Sequence, residues 1–138
     1  MYKLKIYDSM QCKKVLFEPI DPKNIRVYAC GPTVYDYAHI GNARMAVVFD
    51  TLVRLLREQY GKVTYVSNIT DIDDKIIERS KKEKETVHSI TNKFFKIYND
   101  DMEMLNVMKP DYQPKATEFV EKMISAVAKL EEKNFAYQ

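Results

Sequence analysis

The feature that most constrains the fold is a pair of strand-like segments flanking one long helical segment. "IRVYAC" at 25–30 is rich in β-branched and aromatic residues, and "KVTYVSNI" at 62–69 repeats that character. Between them, "NARMAVVFDTLVRLLREQYG" at 42–61 has the length and composition of a helix. Val48, Leu52, Leu55 and Leu56 mark its apolar side, Asn42 is the expected N-cap and Gly61 the expected stop. Strand, helix and strand at this spacing predict an α/β fold built on a βαβ unit, with parallel strands and a right-handed crossover. The first strand is expected to be mostly buried and to deliver Cys30 and Gly31 at its carboxyl end. In such sheets ligands bind beyond the carboxyl ends of the strands. The two segments densest in chemistry, 30–44 and 68–74, fall there.

The flanking sequence reads more simply. "YKLKIYD" alternates with period two and pairs with "KKVLFEP" as a hairpin, and "IDPKN" is a turn cluster. "TDIDDKIIERSKKEKE" predicts a helix capped by Thr70 or Asp71, with "KKEKE" as a solvated face or hinge. Residues 86–106 form a helix with Ile90, Phe94, Ile97, Tyr98 and Leu105 on one side. "KPDYQP" breaks the chain with two prolines, and a last helix over 115–133 carries Phe119, Val120, Met123, Val127 and Leu130 along one stripe. "NFAYQ" reads as the start of a strand, so the natural chain is expected to continue past Gln138.

Composition sets the class. With 46% hydrophobic and 30% charged residues, 138 residues suit one folded domain, or one domain and part of another. A net charge of +2 gives no reason for a broad nucleic-acid surface and leaves a local patch open. The amino terminus lacks the apolar run of a signal peptide, and no stretch approaches the roughly 20 apolar residues of a membrane span. Two cysteines, Cys12 and Cys30, form at most one disulfide, as suits a reducing compartment. A soluble cytoplasmic protein with no membrane partner is the expectation.

"CGPTVYDYAHIGNAR", 30–44, holds two of the three glycines and one of the two histidines. A helix start attracts phosphate, and a glycine there lets a flat ligand or phosphate approach the backbone. His39 and Asn42, flanking Gly41, have the chemistry to donate hydrogen bonds to one anion. The alternative is a plain loop histidine and a plain cap. Cys30 is either a metal ligand or a small hydrophobe ending a strand. Lacking C-x-x-C or H-x-x-x-H nearby, the sequence completes no obvious tetrahedral zinc site. His88 is expected to face solvent, and Cys12 carries no assigned role. Asp71, Asp73 and Asp74 suit magnesium, a ribose or an amino group; helix capping and first-turn charge account for them more simply.

Taken together, these segments resemble the amino-terminal part of the cysteinyl-tRNA synthetase family, class I aminoacyl-tRNA synthetases. "CGPTVYDYAHIGNAR" resembles the family's first signature, with "HIGN" where H-I-G-H is usual, and "YVSNITDIDDKII" and "PDYQPKATEFVEKMI" resemble two later segments in order. The resemblance implies a Rossmann-like parallel-sheet nucleotide-binding domain whose first half spans 1–112, followed over 113–138 by the start of an inserted connective domain. It implies activation of cysteine with ATP and Mg2+, then transfer to the 3′ end of its tRNA. It places His39 and Asn42 on the ATP phosphates as catalytic residues and Gly41 under the adenine. Gly31, Thr33 and Thr70 fall in the cysteine pocket, and Cys30 is the first ligand of a thiol-sensing zinc. Asn42 in place of histidine implies a working contact that does not titrate. The other zinc ligands, the K-M-S-K-S-type loop and the anticodon-binding domain would lie beyond Gln138. The 138 residues alone are therefore expected to bind zinc poorly and to be inactive. The longer enzyme is expected to be monomeric, whereas an unpaired sheet edge invites self-association of this chain. A cysteine ligase paralogue with an amino-sugar acceptor and a non-catalytic nucleotide- or tRNA-binding module are the alternative functions.

Overall fold

Each predicted strand pair forms, but as two separate sheets. The computed structural model describes residues 3–137; Tyr2 of the first strand pattern and Gln138 lie outside them. β1 (Lys5–Asp8) and β2 (Lys13–Leu16) make an antiparallel hairpin. Asp8 tightens its turn by accepting hydrogen bonds from the N–H groups of Met10 and Gln11 at 2.8 and 3.1 Å. β3 (Ile25–Ala29) and β4 (Val63–Ser67) pair in parallel, with Ile25 opposite Val63 and Ala29 opposite Ser67. α1 (Ile40–Tyr60) connects them and ends at Gly61, whose φ of 79° suits a glycine and whose N–H returns to the Arg57 carbonyl. The βαβ reading of the sequence is thus present.

The main core lies between α1 and this sheet. Ile25, Ala29, Val53, Leu56, Val63 and Tyr65 are buried there. Leu52 and Leu56 of the expected apolar face pack against it, but Val48 is 57% exposed and Leu55 is also exposed. The buried face runs instead through Ala46, Asp50, Val53 and Leu56. Asp50 belongs inside because its carboxylate accepts the Met108 N–H at 3.0 Å and binds Arg54 at 2.8 Å. β3 is likewise less buried than expected: it pairs with β4 alone among the described residues, and Tyr28 and Cys30 are exposed.

α2 (Asp74–Glu83) is capped by Asp73, not by Thr70 or Asp71. Ile69 and Thr70 are still in bridge pairing and helix begins only at Asp74, so Asp73 is the carboxylate that reaches the Lys75 N–H, at 2.9 Å. Lys84 turns left-handed at φ 56°, making the hinge into α3 (Val87–Met104). Ile90, Phe94 and Tyr98 of α3 are buried as expected, while Leu105 is exposed beyond the helix end and Met102 takes its place inside.

The helical run ends before the prolines, at Met104, where Asn106 turns left-handed at φ 57° and the Val107 N–H returns to the Met102 carbonyl; the proline-bearing segment beyond acts as a third strand-like chain. Asp111 donates its N–H to the Tyr65 carbonyl, Ser67 donates to Tyr112, and Ile69 donates to Pro114 at 2.8 Å. Pro114 needs no N–H for this role, because only its carbonyl is used. A 3₁₀ turn (Ala116–Phe119) then leads to α4 (Val120–Glu132). The stripe from Val120 to Leu130 is exposed along its length. Of the expected strand at "NFAYQ", the described residues 134–137 form none; Gln138 lies outside them. Asn134, at φ 59°, ends α4, with its N–H on the Glu131 carbonyl and the Phe135 N–H on the Leu130 carbonyl.

Candidate active site

The helix start differs from the sequence reading in one informative way. His39, not Asn42, is the N-cap of α1, and Asn42 sits at the third helical position. The Nδ1 of His39 accepts the Gly41 N–H at 3.1 Å, and the Oδ1 of Asn42 accepts the His39 N–H at 3.0 Å. This reciprocal capping fixes both side chains. With Nδ1 accepting, the neutral imidazole carries its proton on Nε2, and Asn42 keeps both protons of its amide. The backbone N–H groups of Gly41 and Asn42 are already used inside the turn. A phosphate arriving here therefore meets side-chain donors, His39 Nε2–H and Asn42 Nδ2, at the positive end of a 21-residue helix. Gly41 is exposed, and a β-carbon there would meet nothing within 4 Å except His39 Nδ1 at 3.3 Å, so the approach is open.

Gly31, Thr33 and Thr70 are brought together. Thr33 and Thr70 form a parallel bridge, with the Val34 N–H donating to the Thr70 carbonyl at 3.2 Å and the Thr70 N–H to Pro32 at 3.1 Å. One step back, the Gly31 N–H donates to the Asn68 side chain at 2.9 Å. A β-carbon at Gly31 would lie 1.6 Å from the Asn68 carbonyl oxygen, so only glycine fits this crossing. Asn68, which sequence reading passed over, is what locks the ends of β3 and β4 to each other. Beneath the bridge, Val34, Ile69, Ile76, Ile90 and Phe94 form a second buried cluster that supports the loop. Cys30, adjoining this lock, presents an exposed thiol.

Residues 32–39, Asn42 and Tyr98 line a cleft of about 190 Å³. Sequence reading placed Tyr98 in the helix core; it also walls this cleft. Burial, reinforced by neighbouring Tyr65, pushes its phenol up to about 12, so it stays a neutral O–H donor. Asp36 also lines the cleft, with its carboxyl held below the usual range first by a hydrogen bond from Arg79 and then by the Tyr37 N–H.

The aspartates of "TDIDD" are structural in this fold. Asp71 accepts the Thr117 N–H at 3.0 Å and its hydroxyl at 2.6 Å, Asp73 caps α2, and Asp74 lies in its first turn. His88 is exposed and paired with Asn92, and Cys12 lies exposed in the hairpin turn. Among the described residues, no group of three or more His, Cys, Asp or Glu side chains is arranged to hold a metal ion. Cys30 would thus need partners from outside these residues to ligate zinc. No described helix is long and apolar enough to cross a membrane.

The strand end locked to its parallel neighbour and the histidine-capped helix that follows lie within the segment that carries the family match. The family description "tRNA synthetases class I (C) catalytic domain" matches residues 16–138, and the chain belongs to that family. Its relatives carry a more particular name. The cysteine–tRNA ligase of Dechloromonas aromatica (strain RCB) is 50% identical over 135 residues, which cover 98% of this chain and 30% of the relative. Those of Wolbachia sp. subsp. Drosophila simulans (strain wRi) and Ralstonia nicotianae are 50% and 48% identical over 135 and 138 residues. The chain spans about 30% of the length of the relatives it matches.

Proposed function

We propose that the chain is the amino-terminal part of a cysteine–tRNA ligase, a cytoplasmic enzyme that activates cysteine with ATP and Mg2+ and passes it to tRNA. Residues 1–112 supply the first half of a Rossmann-like domain, and 113–138 begin a connective domain. The cysteine carboxylate attacks the α-phosphorus, a C–O–P bond forms, and the bond to the leaving pyrophosphate breaks. Negative charge grows on the departing phosphates. Donors fixed around that charge stabilise the transition state without reorganising. The observation that carries this reading is the reciprocal cap, which spends Nδ1 of His39 and Oδ1 of Asn42 on each other's turn and leaves two oriented donors.

Gly41 leaves room for the adenine, and Gly31, Thr33 and Thr70 shape the amino-acid pocket. Cys30 would be one ligand of a zinc ion completed from outside the described residues. Such an ion prefers a thiolate to a hydroxyl, a basis for telling cysteine from serine. The remaining ligands, the pyrophosphate-release loop and most tRNA contacts belong to the rest of a monomeric enzyme.

Cysteine-dependent exchange of pyrophosphate into ATP tests this. The full-length enzyme should show robust exchange and the 138-residue chain none. Absence from the full-length enzyme would refute the function; exchange by the short chain would refute its incompleteness.

A further inference from the structure

The loop between Cys30 and His39 is held by a residue that lies 40 positions further on. Arg79 stands on α2 with its side chain 22% exposed. Its Nη1 donates to the Tyr35 carbonyl at 2.7 Å and to the Asp36 carboxylate at 2.8 Å, while its Nε donates to Glu83 at 2.7 Å. The guanidinium lies 4.4 Å from the ring centre of Phe94, a residue of α3 that is 1% exposed. Tyr37 packs edge-on against that same ring, with 5.4 Å between centroids. One side chain thus ties three consecutive loop residues, directly or through Phe94, to α2 and α3.

Charge gives the contact a second consequence. Asp36 lines the same cleft as His39 and Asn42, where an unpaired carboxylate would repel phosphate. We propose that Arg79 is a positioning residue for the activation step: it sets the 35–37 loop ahead of the His39 cap and cancels the Asp36 charge in the phosphate cleft. The assignment rests on the activation function proposed above. Lysine cannot replace it. An ammonium is a point charge on a flexible stem, without the planar fork that serves a carbonyl, two carboxylates and a ring face at once.

The test is exchange kinetics in the full-length enzyme, with thermal midpoints and active-site titration of each variant. Arg79→Lys keeps the charge and loses the geometry, so kcat should fall about 10- to 100-fold with KM for ATP within about twofold. Arg79→Met loses both, and KM for ATP should also rise roughly two- to fivefold. Adding Asp36→Asn to Arg79→Met should restore KM without restoring kcat, a split that mere loss of folded protein does not produce. Unchanged kcat in Arg79→Lys, or a KM in Arg79→Met that Asp36→Asn leaves unmoved, would overturn the assignment. Should Arg79→Met fail to fold, the kcat of Arg79→Lys decides alone. A parent enzyme without exchange would overturn the activation function itself, whereas an active parent with unaffected variants overturns only the role of Arg79.

Discussion

The two ends of the loop from Cys30 to Asn42 are built differently. At the Asn42 end everything is local: histidine and asparagine three residues apart cap one helix and fix each other. The Cys30 end depends on distant chain. Its neighbour Gly31 is locked by Asn68, 37 residues away, and the thiol itself is exposed. The difference teaches that the side chains at the helix start come preset by one turn of helix, whereas the Cys30 end takes its shape from distant chain; on the proposed function, the first would serve phosphate and the second a thiol site completed elsewhere.

Four changes should break or sharpen that contrast. The largest effect is expected at the assembled end. If Cys30 ligates zinc as proposed, Cys30→Ser in the full-length enzyme should lower kcat/KM for cysteine by roughly 100-fold or more, because the ion would lose a thiolate ligand. Exchange with cysteine and zinc content of the purified variant measure it. Gly31→Ala forces a β-carbon into the Asn68 carbonyl and should cost roughly 2–3 kcal/mol of stability, read from urea unfolding. An equal midpoint for the alanine variant would show that the crossing yields freely.

Acid probes the middle of the loop. The Asp36 carboxyl lies below its ordinary value of 3.8 in the folded chain, so its pairing stabilises the fold above that value. The stabilisation is lost as pH falls through the lower, folded value. Wild type should therefore exceed Asp36→Asn in urea midpoint near neutral pH, and the gap should close at strongly acid pH. A gap that widens toward acid contradicts the pairing. The smallest effect is expected at the preset end. Asn42→Gln keeps an amide at the third helical position, and exchange should stay within about tenfold of wild type.

Much of this contrast was legible in the sequence, for physical reasons. Strand and helix periodicity over 25–69 reflects burial against the chain's own sheet, so the βαβ unit could be read directly. The cap was misassigned because asparagine is the commoner N-cap, while the real signal was an amide three residues after a histidine. Val48 and Leu55 were expected inside because hydropathy alone does not say which apolar face the neighbouring chain covers. Asp50 was missed for the converse reason: a carboxylate goes inside when a backbone N–H and an arginine await it. The strand-like run at 111–116 was hidden by its prolines, and Arg79 by contacts that span more than 40 residues.

The most direct test of the central claim separates the cap from the donor at His39. Serine is a strong, uncharged N-cap whose short side chain carries no donor out to where the imidazole Nε2–H lies. His39→Ser in the full-length enzyme should leave the thermal midpoint within about 2 °C, while cysteine-dependent exchange falls about 100- to 1000-fold. Exchange at the wild-type rate would contradict the account, since the imidazole would then be a cap and nothing more.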